Sequence, residues 1–121
     1  MRVMIVDDNV ELRDFLCLSL GELQIEAVGL SGESGADAIS QRVEDEDFDV
    51  VVVDSVLSAS DGISLMQCVR RGEKGRAIPI VLVSEIGTGL ARRIATNAGA
   101  TQFLAKPFGL TKFATLLREL A

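Results

Sequence analysis

The chain has 121 residues, is 48% hydrophobic and carries a net charge of −6. This length predicts one domain spanning residues 1–121, with a core of its own and no apolar run long enough to cross a membrane. The acidic balance disfavours direct binding to nucleic acid, which needs clustered Lys and Arg. Histidine is absent, which excludes His-based triads, His zinc sites and phosphohistidine carriers. The first apolar stretch stops at Asp7, too early for a signal peptide, so we expect a cytoplasmic protein.

Strand and helix patterns alternate along the chain. The sequence predicts strands at 2–6, 25–30, 48–54, 79–84 and 102–105, and helices at 10–21, 34–43, 63–71, 89–97 and 110–120. Asp8 or Asn9 can cap the first helix, Ser34 can cap the second, and Gly72 can end the third. The four valines at 50–53 lack polar alternation, which predicts a central strand covered on both faces. The pattern therefore indicates an α/β fold with a doubly wound, five-stranded parallel sheet.

Two further features have structural interpretations. Cys17 and Cys68 lie on the first and third predicted helices, which we expect on opposite faces of the sheet. We therefore interpret both as free, partly buried thiols in a reducing compartment. The acidic run at 44–47 is expected to be a solvated loop between a helix and a strand.

Polar residues occur where four of the predicted strands end. They are Asp7 and Asp8 after the first strand, Asp54 after the third, Ser84 after the fourth and Lys106 after the fifth. The carboxyl ends of parallel strands line one crevice, so residues distant in sequence should converge there. Singly, Asp8 could be a helix cap and Ser84 a turn residue, but the combination predicts a site.

The chemistry of these residues suits phosphoryl transfer with a metal ion. Gathered carboxylates repel one another, and a hard cation such as Mg²⁺ relieves this while using one or two of them. Asp54 ends an apolar strand, where a carboxylate needs a charged or hydrogen-bonding partner or a catalytic role. A carboxylate can act as a nucleophile toward phosphorus. Lys106 would pair with Asp54 at rest and with a phosphoryl oxygen afterwards, and Ser84 would add a hydroxyl donor.

In this order and spacing, the residues resemble the receiver domain of two-component response regulators, of the chemotaxis-receiver type. The segment 54–62 resembles the receiver segment around the phosphorylated aspartate, and 99–108 resembles the segment that closes the site. The resemblance covers essentially the whole chain. It implies a flavodoxin-like (βα)5 fold with strand order 2-1-3-4-5.

The resemblance also implies roles for the acids. Asp54 would accept a phosphoryl group from a sensor histidine kinase, a histidine phosphotransfer protein or a small donor such as acetyl phosphate. Asp8, Asp54 and the backbone carbonyl of Val56 would bind Mg²⁺ or Mn²⁺, with Asp7 acting through a metal-bound water. The domain would be a signalling switch rather than an enzyme, promoting only its own phosphorylation and dephosphorylation.

The remaining implied roles concern the response to phosphorylation. Ser84 and Lys106 would bind the new phosphoryl oxygens, and Phe103 would be the switch aromatic that turns inward when Ser84 moves. The surface of helix four, strand five and helix five would then change and control a downstream partner or output domain. The bond between Lys106 and Pro107 resembles one that is cis in the family.

The sequence departs from the family pattern at several positions. Glu85 stands directly after Ser84, where the family usually has a small residue, and we expect its charge to slow phosphorylation by small donors. Ser58 replaces a usual proline. Thr101 and Gln102 replace acids common in DNA-binding regulators, so the dimer salt bridges of those regulators are not expected.

Other classes of protein fit less well. Haloacid dehalogenase-like phosphatases need a second aspartate two residues after the nucleophile, where this chain has Val56. A flavin module shares the sheet topology, but the chain has no Trp or Tyr to stack on a flavin. The alternative left open is a degenerate receiver that acts as a protein-binding or dimerisation module without phosphorylation.

Overall fold

The computed structural model describes residues 1–57 and 61–121, so Ser58 lies outside the described residues. The strands are β1 Arg2–Val6, β2 Glu26–Leu30, β3 Val50–Asp54, β4 Ile80–Ser84 and β5 Gln102–Ala105. The helices are α1 Val10–Glu22, α2 Ala36–Asp45, α3 Gly62–Arg70, α4 Gly89–Ala98 and α5 Leu110–Leu120, and a 3-10 turn, Gly32–Ser34, precedes α2. Each of the ten predicted elements is therefore present, with ends that differ by at most two residues.

The five strands form one parallel sheet in the order β2-β1-β3-β4-β5. This confirms the predicted doubly wound α/β fold and the strand order that the resemblance implied. The order reverses beside β1, because the chain winds outward from β1 to β2 and then returns to build β3, β4 and β5. Ligands of such sheets bind at this reversal, outside the carboxyl ends of the strands.

Both faces of the sheet are covered, which explains the valine run. Val51 and Val53 point into a core formed with α2, α3 and α4, whereas Val50 and Val52 point into a core formed with α1 and α5. The four valines are between 0% and 3% exposed. A strand buried on both faces can use apolar residues at every position, so the absence of alternation predicted the central strand correctly.

The cap prediction holds for the first helix and fails for the second. The side chain of Asn9 accepts a hydrogen bond of 3.1 Å from the N–H of Leu12 and caps α1. Ser34 does not cap α2; it ends a 3-10 turn that Ser31 caps through the N–H of Glu33. Gly35 follows with φ of 90° and α2 then begins, so the extra turn displaces the start of the helix.

Gly72 does follow the third helix, as predicted, but it does not end that helix in the left-handed conformation. The third helix ends at Arg70, its cap residue Arg71 keeps right-handed helical angles, and Gly72 is not among the glycines with positive φ. The left-handed terminating glycine is Gly99, which has φ of 116° and follows α4. A left-handed residue at this position is the usual role of a terminal glycine.

The acidic run is only in part the solvated loop that was expected, since Asp45 and Asp47 are exposed but Glu44 and Glu46 are partly buried. Its first two residues belong to the last turn of α2, and Glu44 accepts hydrogen bonds of 2.9 and 2.8 Å from the N–H groups of Lys74 and Gly75. Glu46 lies 2.7 Å from the guanidinium of Arg2 and 2.6 Å from that of Arg42. The run therefore ties the end of α2 to β1 and to the segment between α3 and β4.

The two cysteines lie where they were predicted. Cys17 on α1 and Cys68 on α3 are free, half-buried and on opposite sides of the sheet. Within residues 1–57 and 61–121, no helix combines the length and the apolar character that crossing a membrane requires.

Candidate functional site

A cleft of about 350 Å³ opens at the carboxyl edge of the sheet. It is lined by Asp7, Asp8, Asn9, Asp54, Ser55, Val56, Ser84, Glu85, Ile86 and Lys106. The structure thus brings together seven of the eight residues that the sequence analysis singled out. Phe103 is the exception and lies in a different groove, described below.

Lys106 is the cation at the floor of the cleft. Its Nζ donates a hydrogen bond of 3.0 Å to Oδ2 of Asp54 and lies 3.6 Å from Oδ2 of Asp7. Burial alone would lower the pKa of Lys106, but the hydrogen bond to Asp54 and the charges of Asp54 and Asp7 outweigh it and raise that pKa. Lys106 is therefore a charged ammonium shared between two carboxylates.

Asp7 is the most buried acid of the cleft, with 5% of its surface exposed. Its Oδ1 accepts a hydrogen bond of 2.8 Å from the N–H of Asn9. Burial raises the pKa of Asp7, and the neighbouring charge of Asp54 adds to the rise, against the opposing effects of Asn9 and Lys106. Further positive charge at this point would favour the ionised carboxylate.

Asp8 is held by the turn that follows β2. Its Oδ1 accepts hydrogen bonds of 2.7 Å from the N–H of Gly32 and 3.0 Å from the hydroxyl of Ser31. Neither residue was among the site residues predicted from the sequence. The signal was available, since Ser31 directly follows β2, and the rule that polar residues at strand ends converge also covers this strand.

Asp54 is positioned by backbone contacts from the residues that follow it, from β4 and from the start of α3. The N–H of Val56 lies 3.2 Å from Oδ1 of Asp54, and the N–H of Ser55 donates to the carbonyl of Val83 at 2.8 Å. Gly62 packs against this segment so closely that a Cβ there would lie 2.1 Å from the carbonyl oxygen of Asp54. Only glycine permits this approach of α3 to the end of β3.

Ser84, Glu85 and Ile86 form one wall of the cleft. The hydroxyl of Ser84 is buried and accepts a hydrogen bond of 3.1 Å from the N–H of Ile86. The carbonyl of Ser84 accepts a hydrogen bond of 2.8 Å from the N–H of Lys106, and this bond links the ends of β4 and β5. Glu85 is exposed at the rim, so a carboxylate does stand beside the hydroxyl, as the sequence indicated.

Phe103 lies half-buried on β5, outside the cleft. The guanidinium of Arg92 on α4 sits 4.8 Å from the centre of its ring, a cation–π distance. Phe103 lines a groove of about 700 Å³ along α4, β5 and α5, together with Arg92, Lys112 and Glu119. The peptide bond between Lys106 and Pro107 is cis, as the resemblance implied.

The donor set of the cleft fits a hard divalent cation. Among the described residues, no three His, Cys, Asp or Glu side chains form a complete ligand cluster. Mg²⁺ does not need one, because it typically takes one or two carboxylates and keeps several waters. The cleft offers oxygen donors and an excess of acids over its single lysine, which favours Mg²⁺ or Mn²⁺ over softer metals.

The chain belongs to the response regulator receiver domain family, whose pattern it matches over residues 3–118. Receiver domains of two-component response regulators are signalling domains rather than classical enzymes. The membership confirms the resemblance inferred from the residues, and it is consistent with phosphorylation-dependent signalling.

Individual relatives show how much of each protein is shared. The chain is 30% identical over 117 residues to regulatory protein VirG of Agrobacterium fabrum, which covers 96% of this chain and 44% of VirG. It is 30% identical over 123 residues to transcriptional regulatory protein GltR of Pseudomonas aeruginosa, covering 97% of this chain and 49% of GltR. Chemotaxis protein CheY1 of Helicobacter pylori is 28% identical over 108 residues, or 89% of this chain and 86% of CheY1. The chain thus spans about half the length of VirG and GltR.

Solved structures agree on the fold. Chemotaxis protein CheY4 of Vibrio cholerae superposes with a TM-score of 0.88 over 99% of this chain and 98% of that chain, at 20% identity. The receiver domain of sensor histidine kinase PA1611 from Pseudomonas aeruginosa gives a TM-score of 0.85 over 98% and 95%, at 23% identity. The PA1611 domain has a magnesium ion coordinated in its active site cleft.

Proposed function

We propose that residues 1–121 are a single receiver domain that switches a two-component signalling pathway when Asp54 is phosphorylated. The observation that supports this best is the hydrogen bond of 3.0 Å between Lys106 and Asp54 inside an otherwise acidic cleft. This hydrogen bond holds a carboxylate at the carboxyl edge of the sheet, beside an ammonium group that can donate a hydrogen bond to a phosphoryl oxygen. The serine hydroxyl of Ser84 lines the same cleft.

In this proposal the acids hold a divalent cation. Asp8, Asp54 and the backbone carbonyl of Val56 would hold Mg²⁺ or Mn²⁺, and Asp7 would act on it through a water molecule. The cation supplies the positive charge that lets an anionic phosphodonor approach a cleft of like charge. The family membership and the magnesium ion in the PA1611 receiver domain support this assignment.

The reaction is a transfer of one phosphoryl group to Asp54. A carboxylate oxygen of Asp54 forms the bond to phosphorus while the phosphorus–nitrogen bond of the donor phosphohistidine breaks, and the imidazole nitrogen keeps the bonding pair. With acetyl phosphate, the phosphorus–oxygen bond breaks and acetate leaves. Lys106 moves its hydrogen bond from the carboxylate to a phosphoryl oxygen, and Ser84 donates its hydroxyl to another. The donor protein is a sensor histidine kinase or a histidine phosphotransfer protein.

Phosphorylation then changes the conformation of the face formed by α4, β5 and α5. The displacement of Ser84 toward the phosphoryl group opens room for Phe103 to turn inward, away from the guanidinium of Arg92. This changes the groove of about 700 Å³ that Phe103 lines, and with it the surface offered to a protein partner or an output domain. The residues Glu85 to Leu90 are all exposed, so the segment between β4 and α4 has space to move with Ser84.

Intact mass after incubation with acetyl phosphate and Mg²⁺ tests the proposal. We expect a gain of one phosphoryl group that is lost in Asp54→Asn and in EDTA. If no gain is found, binding of beryllofluoride in the presence of Mg²⁺ tests whether the site accepts a phosphoryl analogue without reacting with this donor. Failure of both would overturn the proposal in favour of a degenerate receiver that binds partners without phosphorylation.

A further inference from the structure

Arg13 is a charged residue close to the cleft that neither lines it nor forms part of the proposed chemistry. It lies in the second turn of α1, half-buried, and its Nη1 donates a hydrogen bond of 2.9 Å to the backbone carbonyl of Asp7. That carbonyl belongs to the peptide unit that joins Asp7 to Asp8. A guanidinium is charged at any ordinary pH, so the contact does not depend on titration.

The path of the Arg13 side chain runs over a glycine of β2. A Cβ added at Gly29 would lie 2.7 Å from Cγ and 2.9 Å from Cδ of Arg13, and 3.2 Å from Sγ of Cys17. The aliphatic part of Arg13 therefore occupies the space of a side chain on the edge strand. Gly29 is not among the glycines with positive φ, so the need for glycine here is space for Arg13 and not backbone freedom.

From this geometry we infer that Arg13 is a positioning residue for the metal site. Gly29 leaves the space in which the aliphatic part of the Arg13 side chain is held. The orientation of the peptide between Asp7 and Asp8 determines where both carboxylates point. Fixing it in advance lowers the cost of arranging them around a cation, as partners outside the ligand shell do in other metal sites. The inference rests on the proposed function, because it concerns the affinity of the cleft for Mg²⁺.

The test measures Mg²⁺ affinity by isothermal titration calorimetry on the full chain, without any phosphodonor. Arg13→Met keeps most of the aliphatic stem but removes the donor, and we expect its Kd for Mg²⁺ to rise by about tenfold. Gly29→Ala keeps the donor but displaces the stem, and we expect a rise in the same direction. Because both act through one hydrogen bond, the double variant should bind no more weakly than Arg13→Met alone.

Matched controls separate positioning from a general loss of stability. In Gly21→Ala on α1 the new Cβ would meet nothing within 4 Å, so this variant should bind Mg²⁺ like the wild type. Far-UV circular dichroism establishes that each variant is folded at the titration temperature. An unchanged Kd in Arg13→Met would overturn the inference, and so would a Gly29→Ala effect that persists in the Arg13→Met background.

Failure of the inference is distinguishable from failure of the proposed function. If the wild type binds Mg²⁺ and Asp54→Asn loses it, while Arg13→Met binds normally, then the metal site stands and only the role of Arg13 falls. If the wild type itself does not bind Mg²⁺, the proposed metal site falls and the inference with it.

Discussion

The hydrogen bond of 3.0 Å between Lys106 and Asp54 joins the ends of two strands that are not neighbours in the sheet. Lys106 follows β5 and Asp54 ends β3, and β4 lies between them. The lysine side chain therefore reaches across the end of β4, under the wall that carries Ser84. One ammonium therefore links the end of β5 to the carboxylate that we propose as the phosphorylation site.

Removal of this ammonium should make the fold dependent on a divalent cation. In EDTA, Lys106→Met should lose roughly 2 kcal/mol of unfolding free energy, because the buried carboxylate of Asp7 and the partly buried carboxylate of Asp54 lose a charged partner. Mg²⁺ should recover part of this loss, since it replaces the missing positive charge. Urea unfolding followed by far-UV circular dichroism measures both values, with the exposed Lys112→Met as control. An equal loss with and without Mg²⁺ would contradict the prediction.

The hydroxyl of Ser31 should matter for metal affinity although it lies outside the proposed ligand set. Ser31→Ala removes the hydrogen bond of 3.0 Å to Asp8, so the carboxylate is less well oriented, and the Kd for Mg²⁺ should rise by up to about tenfold. Ser31→Thr keeps a hydroxyl and should bind like the wild type. Calorimetric titration measures the Kd for Mg²⁺ of the wild type and the two variants. Equal affinity of the Ala and Thr variants would exclude a role for the hydroxyl.

The sequence predicted the features that follow from topology. The run Val50–Val53 has a composition that only a strand buried on both faces tolerates, so its place at the centre of the sheet could be inferred. Once the sheet was parallel, Asp54, Ser84 and Lys106 had to meet, because each ends or follows a strand. These inferences needed no knowledge of any side-chain contact.

The features that escaped prediction depend on contacts between distant residues. Gly35, with its positive φ, inserts a turn before α2 that a cap pattern centred on Ser34 does not reveal. Glu46 is ordered by Arg2, 44 residues away, which local charge cannot indicate. The hydrogen bond from Arg13 to Asp7 depends on a side-chain path over Gly29, and no periodicity in the sequence marks such a path.

Glu85 should slow phosphorylation by small anionic donors. It is exposed at the rim of the cleft, so its repulsion is screened by water and should be worth less than about 1 kcal/mol. Glu85→Ala and Glu85→Gln should therefore react with acetyl phosphate a fewfold faster than the wild type, and the advantage should shrink at high salt. Intact mass over time gives the rates, and an unchanged rate in both variants would refute the effect.

Phe113 should be among the residues on which stability depends most. It is fully buried between α5 and the sheet, and its ring lies 4.9 Å from that of Phe108. Phe113→Ala should lower the free energy of unfolding by about 3–5 kcal/mol, because it opens a cavity in a close-packed core. The control is Phe15→Ala on α1, whose side chain is 57% exposed and whose loss should cost far less. Urea titration of both variants makes the comparison, and similar losses would show that burial does not decide the cost.

The acid stability of the fold should depend measurably on Glu46. Its hydrogen bonds to Arg42 and then Arg2 lower its pKa from 4.5 to about 2, so the folded state binds a proton there less readily than the unfolded chain does. The resulting stabilisation is present at neutral pH, declines once the pH falls below about 5 and is lost as the pH falls through about 2. Glu46→Gln cannot titrate, so the stability difference between the wild type and this variant should stay constant from pH 7 to about pH 5 and then shrink as the pH falls to 3. Urea titrations across this range measure it, and in an Arg42→Met background the difference should depend much less on pH. A gap between the wild type and Glu46→Gln that stays constant with pH would mean that the ion pairs do not stabilise the folded state.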